Sequence, residues 1–184
     1  MVITYLNMTK ELWLTFSGKG KQLVEGFCDA DWARQKDRHS ISGYTFYFGQ
    51  GAILWSSKKQ HVIALSSTEL EYIAQTHTVK EAIWMKNFIS EICQPQEEPI
   101  EIHCDNQGVI VLTKDNKYHS CTKHINLQYH FIWEGVEDNM IKMEYIPTQE
   151  NIADVFMKVL ARPRFKEFVE GLGLRELEGR SGEQ

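Results

Sequence analysis

From about Leu23 to Asp31 the chain alternates, with Leu23, Phe27, Asp29 and Asp31 on one face and Val24, Cys28, Ala30 and Trp32 on the other. That period of two predicts a strand. The polar run ARQKDRHS breaks the pattern. GYTFYFG and AILWSS then follow as two β-favouring strands around the turn Gly49-Gln50-Gly51, and the three segments predict an antiparallel meander. At SSTELEY the period lengthens. Leu70, Ile73, Ala74, Ala82, Met85, Ile89 and Ile92 trace one face of a long helix, and Ser66 with Glu69 three residues on has the form of a capping box. PQEEP ends that helix.

IEIHCD is the next strand, with Ile100, Ile102 and Cys104 facing one way, and NQGVIVLTK is a short helix. After the polar DNKYHSCTK a helix begins near His124, with Ile125, Gln128/Tyr129, Ile132 and Val136 in register. MIKMEYIP is a fifth strand stopped by Pro147, TQENIADVFMKVLA is predicted helical, and RPRFKEFVEGLGL is an amphipathic helix closed by glycines. The order β-β-β-α-β-α-α-β-α-α predicts an α/β domain, a five-stranded mixed sheet flanked by helices. The opening residues, through the glycine- and lysine-rich SGKGKQ, read as a short approach segment. The charged tail LEGRSGEQ is predicted disordered.

A length of 184 residues favours one domain with a real core. The net charge of −5 argues against a tight stand-alone nucleic-acid binder, whose surface is usually basic. It leaves room for a nuclease whose affinity comes from a neighbouring domain and whose acidic excess is partly the site itself. Cys28, Cys93, Cys104 and Cys121 are scattered without a Cys-x-x-Cys pair, so they read as reduced thiols, and no two histidines fall at ligand-like spacing with a cysteine pair. No secretory signal and no long apolar run occurs.

Four acids in four separate segments change this picture: Asp29 in FCDADW, Glu71 in SSTELEY, Asp105 in CDNQ and Asp154 in NIADV. Two fall in or at the end of predicted strands and two on early helical turns, where a mixed sheet would gather them beyond the strand ends. Four negative charges brought together repel each other unless divalent cations neutralise them, which points to two-metal phosphodiester hydrolysis. Asp31 rivals Asp29 from the same strand face and reads as a supporting or solvated residue. Glu69 rivals Glu71, but the capping box gives it a structural role.

At DADWA, RHSISGY, WSSKKQ, ALSSTELEY, CDNQ, HSCTKHINLQYHFI, EYIPT and NIAD, spread over roughly residues 25–174, the chain resembles the ribonuclease H domain of copia-type retrotransposon Pol polyproteins. The resemblance implies a ribonuclease H-like fold, with Asp29, Glu71, Asp105 and Asp154 as the catalytic and metal-binding quartet. It implies two Mg²⁺ ions, or Mn²⁺, and hydrolysis of the RNA strand of RNA–DNA hybrids to 3′-hydroxyl and 5′-phosphate ends. It also implies a reverse transcriptase upstream in the parent polyprotein and an intracellular setting, either a cytoplasmic virus-like particle or the nucleus. On that basis residues 1–22 are a remnant of the polymerase-to-ribonuclease H connection, 23–174 the domain, and 175–184 a tail.

Ser67, Asn106, Gln107, Lys123 and His124 are the substrate-binding candidates, joined by Ser66, Thr68, Lys58 and Lys59. Each has an ordinary alternative: helix capping for Ser66, Ser67 and Thr68, helix-start polarity for Asn106 and Gln107, solvated surface for the basic residues. The resembled family follows its last aspartate with threonine, lysine and proline. Here Met157 and Val159 stand at the outer two of those positions. The loop IPTQEN also lacks the histidine that cellular ribonucleases H commonly carry there. These departures, with the acidic charge, support a second reading: an inactive or co-opted remnant serving as a nucleic-acid or protein interaction module. A third reading is an integrase-like DNA nuclease of the same general fold. Trp32, Trp55, Trp84 and Trp133 are expected to be core or half-buried packing residues.

Overall fold

The computed structural model describes residues 2–18, 23–31, 40–60, 67–92, 95–114, 123–158 and 160–176. The chain opens with α1 (Val2–Thr9) and β1 (Leu12–Leu14), then forms the meander β2 (Glu25–Asp31), β3 (Ile41–Phe48) and β4 (Gly51–Lys59). The long α2 (Ser67–Ile92), β5 (Ile100–Cys104), α3 (Gln107–Lys114), α4 (Lys123–Glu137) and β6 (Ile141–Tyr145) follow. A short 3-10 helix (Ile152–Phe156), α5 (Arg162–Gly171) and β7 (Leu174–Glu176) complete the described chain.

The β3–β4 hairpin turns through Gly49 (φ 58°) and Gln50 (φ 68°), two successive left-handed residues whose twist suits a tight antiparallel connection. The main sheet has the order β4-β3-β2-β5-β6. The meander strands are antiparallel, whereas β2, β5 and β6 run parallel to one another. This is the five-stranded mixed sheet predicted from the alternation. Strand β2 therefore has one antiparallel and one parallel neighbour, and the crevice beyond the C-terminal ends of β2 and β5 lies at the change of strand order.

The two faces of the sheet carry unequal cores. On one, Cys28, Phe46, Ile102, Cys104 and Met143 meet Val79, Ala82, Met85 and Ile89 of α2 and Tyr129 and Ile132 of α4. Each large aliphatic side chain buried there contributes about 1.5–3 kcal/mol. On the other, Phe27, Tyr47 and Ala52 pack with Ala153, Ile146, Ile152 and Leu172. Alternation along β2 thus sends Cys28 towards α2 and puts Phe27, with Asp29 two residues on, on the face of the C-terminal segment.

Four expectations need correction. Ile92 is not on the buried face: it ends α2 and is 61% exposed. Trp55 and Trp84 are more than half exposed, and Trp84 stacks on Phe88 rather than entering the core. Trp133 does pack against the larger core. The helix expected over TQENIADVFMKVLA shrinks to five residues of 3-10 helix, because Asn151 starts the turn in extended conformation and Met157, at φ −128°, leaves the helical region. Finally, the approach segment contains α1 and β1, and β1 pairs antiparallel with β7, Trp13 opposite Arg175. Strands of three residues are too short to show a period. Trp32, Arg38, His39, Ser66, Cys93, Cys121, Val159 and the tail from Leu177 lie outside the described residues.

Candidate active site

The parallel register pairs Phe27 of β2 with His103 of β5. Two residues further along each strand come Asp29 and Asp105, so the topology sets these acids side by side at the strand ends. Glu71 arrives from the second turn of α2. One carboxylate oxygen from each of Asp29, Glu71 and Asp105 lies within 4.8 Å of the others. Glu69, two residues back on α2, does not join this group, and neither does Asp31.

These acids are costly to ionise. Asp29 is 3% exposed. Burial, then a hydrogen bond with Asp154, then the charges of Asp105 and Glu71 push its pKa up to about 8, against the pull of Lys158. Burial and then the Asp105 charge push Glu71 up to about 8 as well. Beneath them lie Cys28 and Cys104, both buried free thiols. A hydrogen bond from the Cys28 thiol to Cys104 and then burial drive the Cys28 pKa well above its ordinary value, so it behaves as an uncharged packing residue. The Asp29 carboxylate also accepts the Ala30 amide at 2.7 Å, which fixes its orientation.

Asp154 meets the cluster through Asp29, to which it is hydrogen-bonded. It is buried on the 3-10 helix and bonded by the Lys158 ammonium one turn on, and that ammonium also donates to Asp29 Oδ2 at 3.1 Å. Arg164 Nη2 approaches Asp154 Oδ2 at 3.4 Å. Burial lowers the Lys158 pKa, but the hydrogen bond to Asp154 and the Asp29 charge raise it, and the net shift is upward. Asp29 therefore links the four expected acids: it converges with Glu71 and Asp105, and it is hydrogen-bonded to Asp154, with the Lys158 ammonium shared between the two.

What holds the 3-10 helix here is a set of small residues. Asn151, fully buried, donates from Nδ2 to the Cys28 carbonyl at 2.9 Å and accepts the Ala153 amide on Oδ1 at 3.2 Å. It thereby anchors the helix beside Asp29. Gly43 is paired with Asp29 across β2 and β3. A Cβ there would stand 2.9 Å from Met157 Cγ and 3.2 Å from the Ala153 carbonyl oxygen, so only glycine lets the helix lie this close. Ser57, opposite Gly43 on β4, donates its hydroxyl to the Phe156 carbonyl. Thr148 donates to Asp105 Oδ2 at 2.7 Å.

The substrate candidates are less sharply placed. Asn106 is half-buried and Gln107 exposed, directly after Asp105 at the start of α3. Lys58 and Lys59 are exposed at the end of β4. Ser67 opens α2, and Lys123 and His124 open α4, but their side chains lie outside the described residues, as does that of Thr68.

Sequence reasoning missed Lys158, Arg164, Thr148 and Asn151. The motifs NIAD and EYIPT contain Asn151 and Thr148, and Lys158 follows Asp154 at the i,i+4 spacing of a helical ion pair. Arg164 offered no signal.

The donor set suits a hard divalent cation: oxygen ligands from three carboxylates, two of them with pKa values raised chiefly by burial. Fold and site together define a ribonuclease H-like domain. The fold is shared with LC11-RNase H1 in complex with an RNA/DNA hybrid, at a TM-score of 0.55 and 14% identity over 72% of this chain and 92% of that one. It is shared equally with the foamy viral protease-reverse transcriptase in complex with RNA/DNA hybrid, at a TM-score of 0.55 and 14% identity over 78% of this chain and 21% of that one.

Within that fold class, the chain is similar to copia-type retrotransposon Pol polyproteins over most of its own length. It is 44% identical over 174 residues to the Pol polyprotein of transposon TNT 1-94 from Nicotiana tabacum, covering 94% of this chain and 13% of that protein. It is 37% identical over 161 residues to that of transposon RE1 from Arabidopsis thaliana, covering 86% and 11% respectively. The chain thus spans about an eighth of the length of these relatives. No family model matches it. No helix among the described residues is long and apolar enough to cross a membrane.

Proposed function

We propose that this domain hydrolyses the RNA strand of RNA–DNA hybrids, with Mg²⁺ held by Asp29, Glu71 and Asp105 and a second ion reached through Asp29 and Asp154. The observation that carries the reading is the convergence of three carboxylates from β2, α2 and the end of β5 in one crevice. Bound there, Mg²⁺ would activate the attacking water and stabilise charge on the leaving oxygen.

The chain's own residues prepare that site. Burial raises the pKa values of Asp29 and Glu71 to about 8, so cation loading competes with protons at these acids and is favoured as pH rises. Thr148 keeps Asp105 turned into the cluster. Asn106 and Gln107, adjacent to Asp105, are the residues we assign to the RNA strand, where contact with ribose 2′-hydroxyls separates RNA from DNA. Lys58 and Lys59 are assigned to phosphates. The likeness to Pol polyproteins supports a place downstream of a reverse transcriptase, which would supply the affinity that a chain of net charge −5 lacks.

The test is cleavage of an end-labelled RNA–DNA hybrid by the purified chain in Mg²⁺ and in Mn²⁺, beside duplex DNA of the same sequence. RNA-strand cutting lost in Asp105→Asn supports the reading. Cutting of duplex DNA instead would favour the integrase-like alternative. A folded chain that binds the hybrid without cutting it would favour the interaction module.

A further inference from the structure

Asp29 belongs to two clusters at once. With Glu71 and Asp105 it forms the three-carboxylate group. With Asp154 it forms a second acidic pair, and the Lys158 ammonium sits between its members, bonded to Asp154 Oδ1 and 3.1 Å from Asp29 Oδ2. Both carboxylates are almost fully buried, and the Lys158 side chain is itself only about a quarter exposed (26%). The ammonium is not a loose surface partner. It is shared by the two carboxylates, Asp29 and Asp154, that would hold a second cation.

We infer that Lys158 is a built-in counter-ion which occupies the Asp29–Asp154 position in the metal-free domain and must leave before a divalent cation can enter it. The inference rests on the metal-binding reading above and deepens it. The two cation positions are then unequal. The Asp29–Glu71–Asp105 group fills first. The Asp29–Asp154 position fills second, because the incoming ion must break two ion pairs and send the lysine elsewhere. Arg164 can stay, since it approaches the other oxygen, Oδ2, of Asp154.

Lys158 extends from the residue just past the 3-10 helix whose approach to β3 depends on Gly43. Displacing its ammonium therefore requires only side-chain rotation, with the backbone still held by Asn151 and Ser57.

The experiment is calorimetric titration of the full chain with Mn²⁺, comparing the natural sequence with Lys158→Met, which keeps the length and removes the charge, and Lys158→Arg, which keeps the charge. Two Mn²⁺ sites of unequal affinity are expected in the natural chain. Lys158→Met should tighten the weaker site by about tenfold or more, the scale of removing one buried competing charge, and leave the stronger site within about twofold. Lys158→Arg should bind as the natural chain does. Equal affinities in Lys158→Met and the natural chain, or equal tightening of both sites, overturn the inference.

Absence of Mn²⁺ uptake by both the natural chain and Lys158→Met defeats the metal-binding reading itself, and uptake lost in Asp105→Asn secures that reading independently of Lys158. Should Lys158→Met not fold, the Lys158 ammonium can be followed by nitrogen NMR in the natural chain during Mg²⁺ addition. A signal unmoved until the second equivalent and then shifted supports displacement. One unmoved through saturation overturns it.

Discussion

The two sides of Asp29 are built from the same residue types and behave differently. Towards α2 and β5, Glu71 and Asp105 converge on it, and their charges add to burial and the Asp154 hydrogen bond in raising its pKa. Towards the C-terminal segment, Asp154 is matched by Lys158 and approached by Arg164. The first side concentrates negative charge and stays hungry for a cation. The second carries its own. The difference shows that an acidic cluster is defined by what neutralises it as much as by its carboxylates, and that sequence spacing alone does not reveal which acids remain available.

The largest effect should come from breaking the first side. Asp105→Asn or Asp29→Asn should lower hybrid cleavage by on the order of 10³-fold or more, measured as single-turnover rate, while circular dichroism shows the fold retained. Asp154→Asn should cost less binding at the stronger metal site, since that acid contributes to the weaker one.

The pH dependence of stability sharpens the contrast. Asp29 and Glu71 rise from ordinary carboxylate values of 3.8 and 4.5 to about 8 on folding. Between about pH 4 and pH 8 the folded state therefore binds more protons than the unfolded one. The metal-free domain should lose stability as pH rises through that window and level off above it. Asp29→Asn and Glu71→Gln should each flatten the decline. Saturating Mg²⁺ should reverse it, because the ion prefers the ionised acids. Melting temperatures across pH 5 to 9, with and without Mg²⁺, measure this. A metal-free stability that climbs from pH 5 to 8 would contradict it.

Gly43→Ala should damage the second side first. The added methyl meets Met157 and the Ala153 carbonyl, and the resulting overpacking costs about 1–3 kcal/mol in denaturant unfolding. Met157→Ala in the same chain should restore part of that loss by removing the nearer obstacle. No recovery would mean that the Ala153 backbone, not Met157, sets the clearance. Asn151→Ala leaves the Cys28 carbonyl without its side-chain donor and should cost a similar 1–3 kcal/mol, roughly.

The smallest change belongs to Thr148→Val. Losing one partly exposed hydrogen bond to Asp105 should cost about 0.5–1.5 kcal/mol, read as a several-fold weaker metal affinity with little shift in melting.

Periodicity made the sheet and its helices legible. Strand alternation and helical stripes are local, so β2 to β6, α2 and α4 followed from the order of residues. The acids were legible as candidates because each stood in a distinct motif. Three features needed more. That Glu71 reaches the other acids, the choice the capping box on Glu69 already favoured, depends on where one turn of α2 meets the ends of β2 and β5. The short 3-10 helix replaced a longer predicted one because Asn151 bonds across to Cys28, 123 residues away in sequence. The β1–β7 pair joins segments at opposite ends of the chain and has no local signature.

What the sequence determined by itself was the five-stranded mixed sheet, the helices on it and the four acids carried at its ends, since backbone period and side-chain type are properties of neighbouring residues. Tertiary structure alone decided that three of those acids share one space while the fourth is bound to Lys158. Charge acts through distance, and the distances among β2, α2, β5 and the C-terminal turn exist only once the chain has folded.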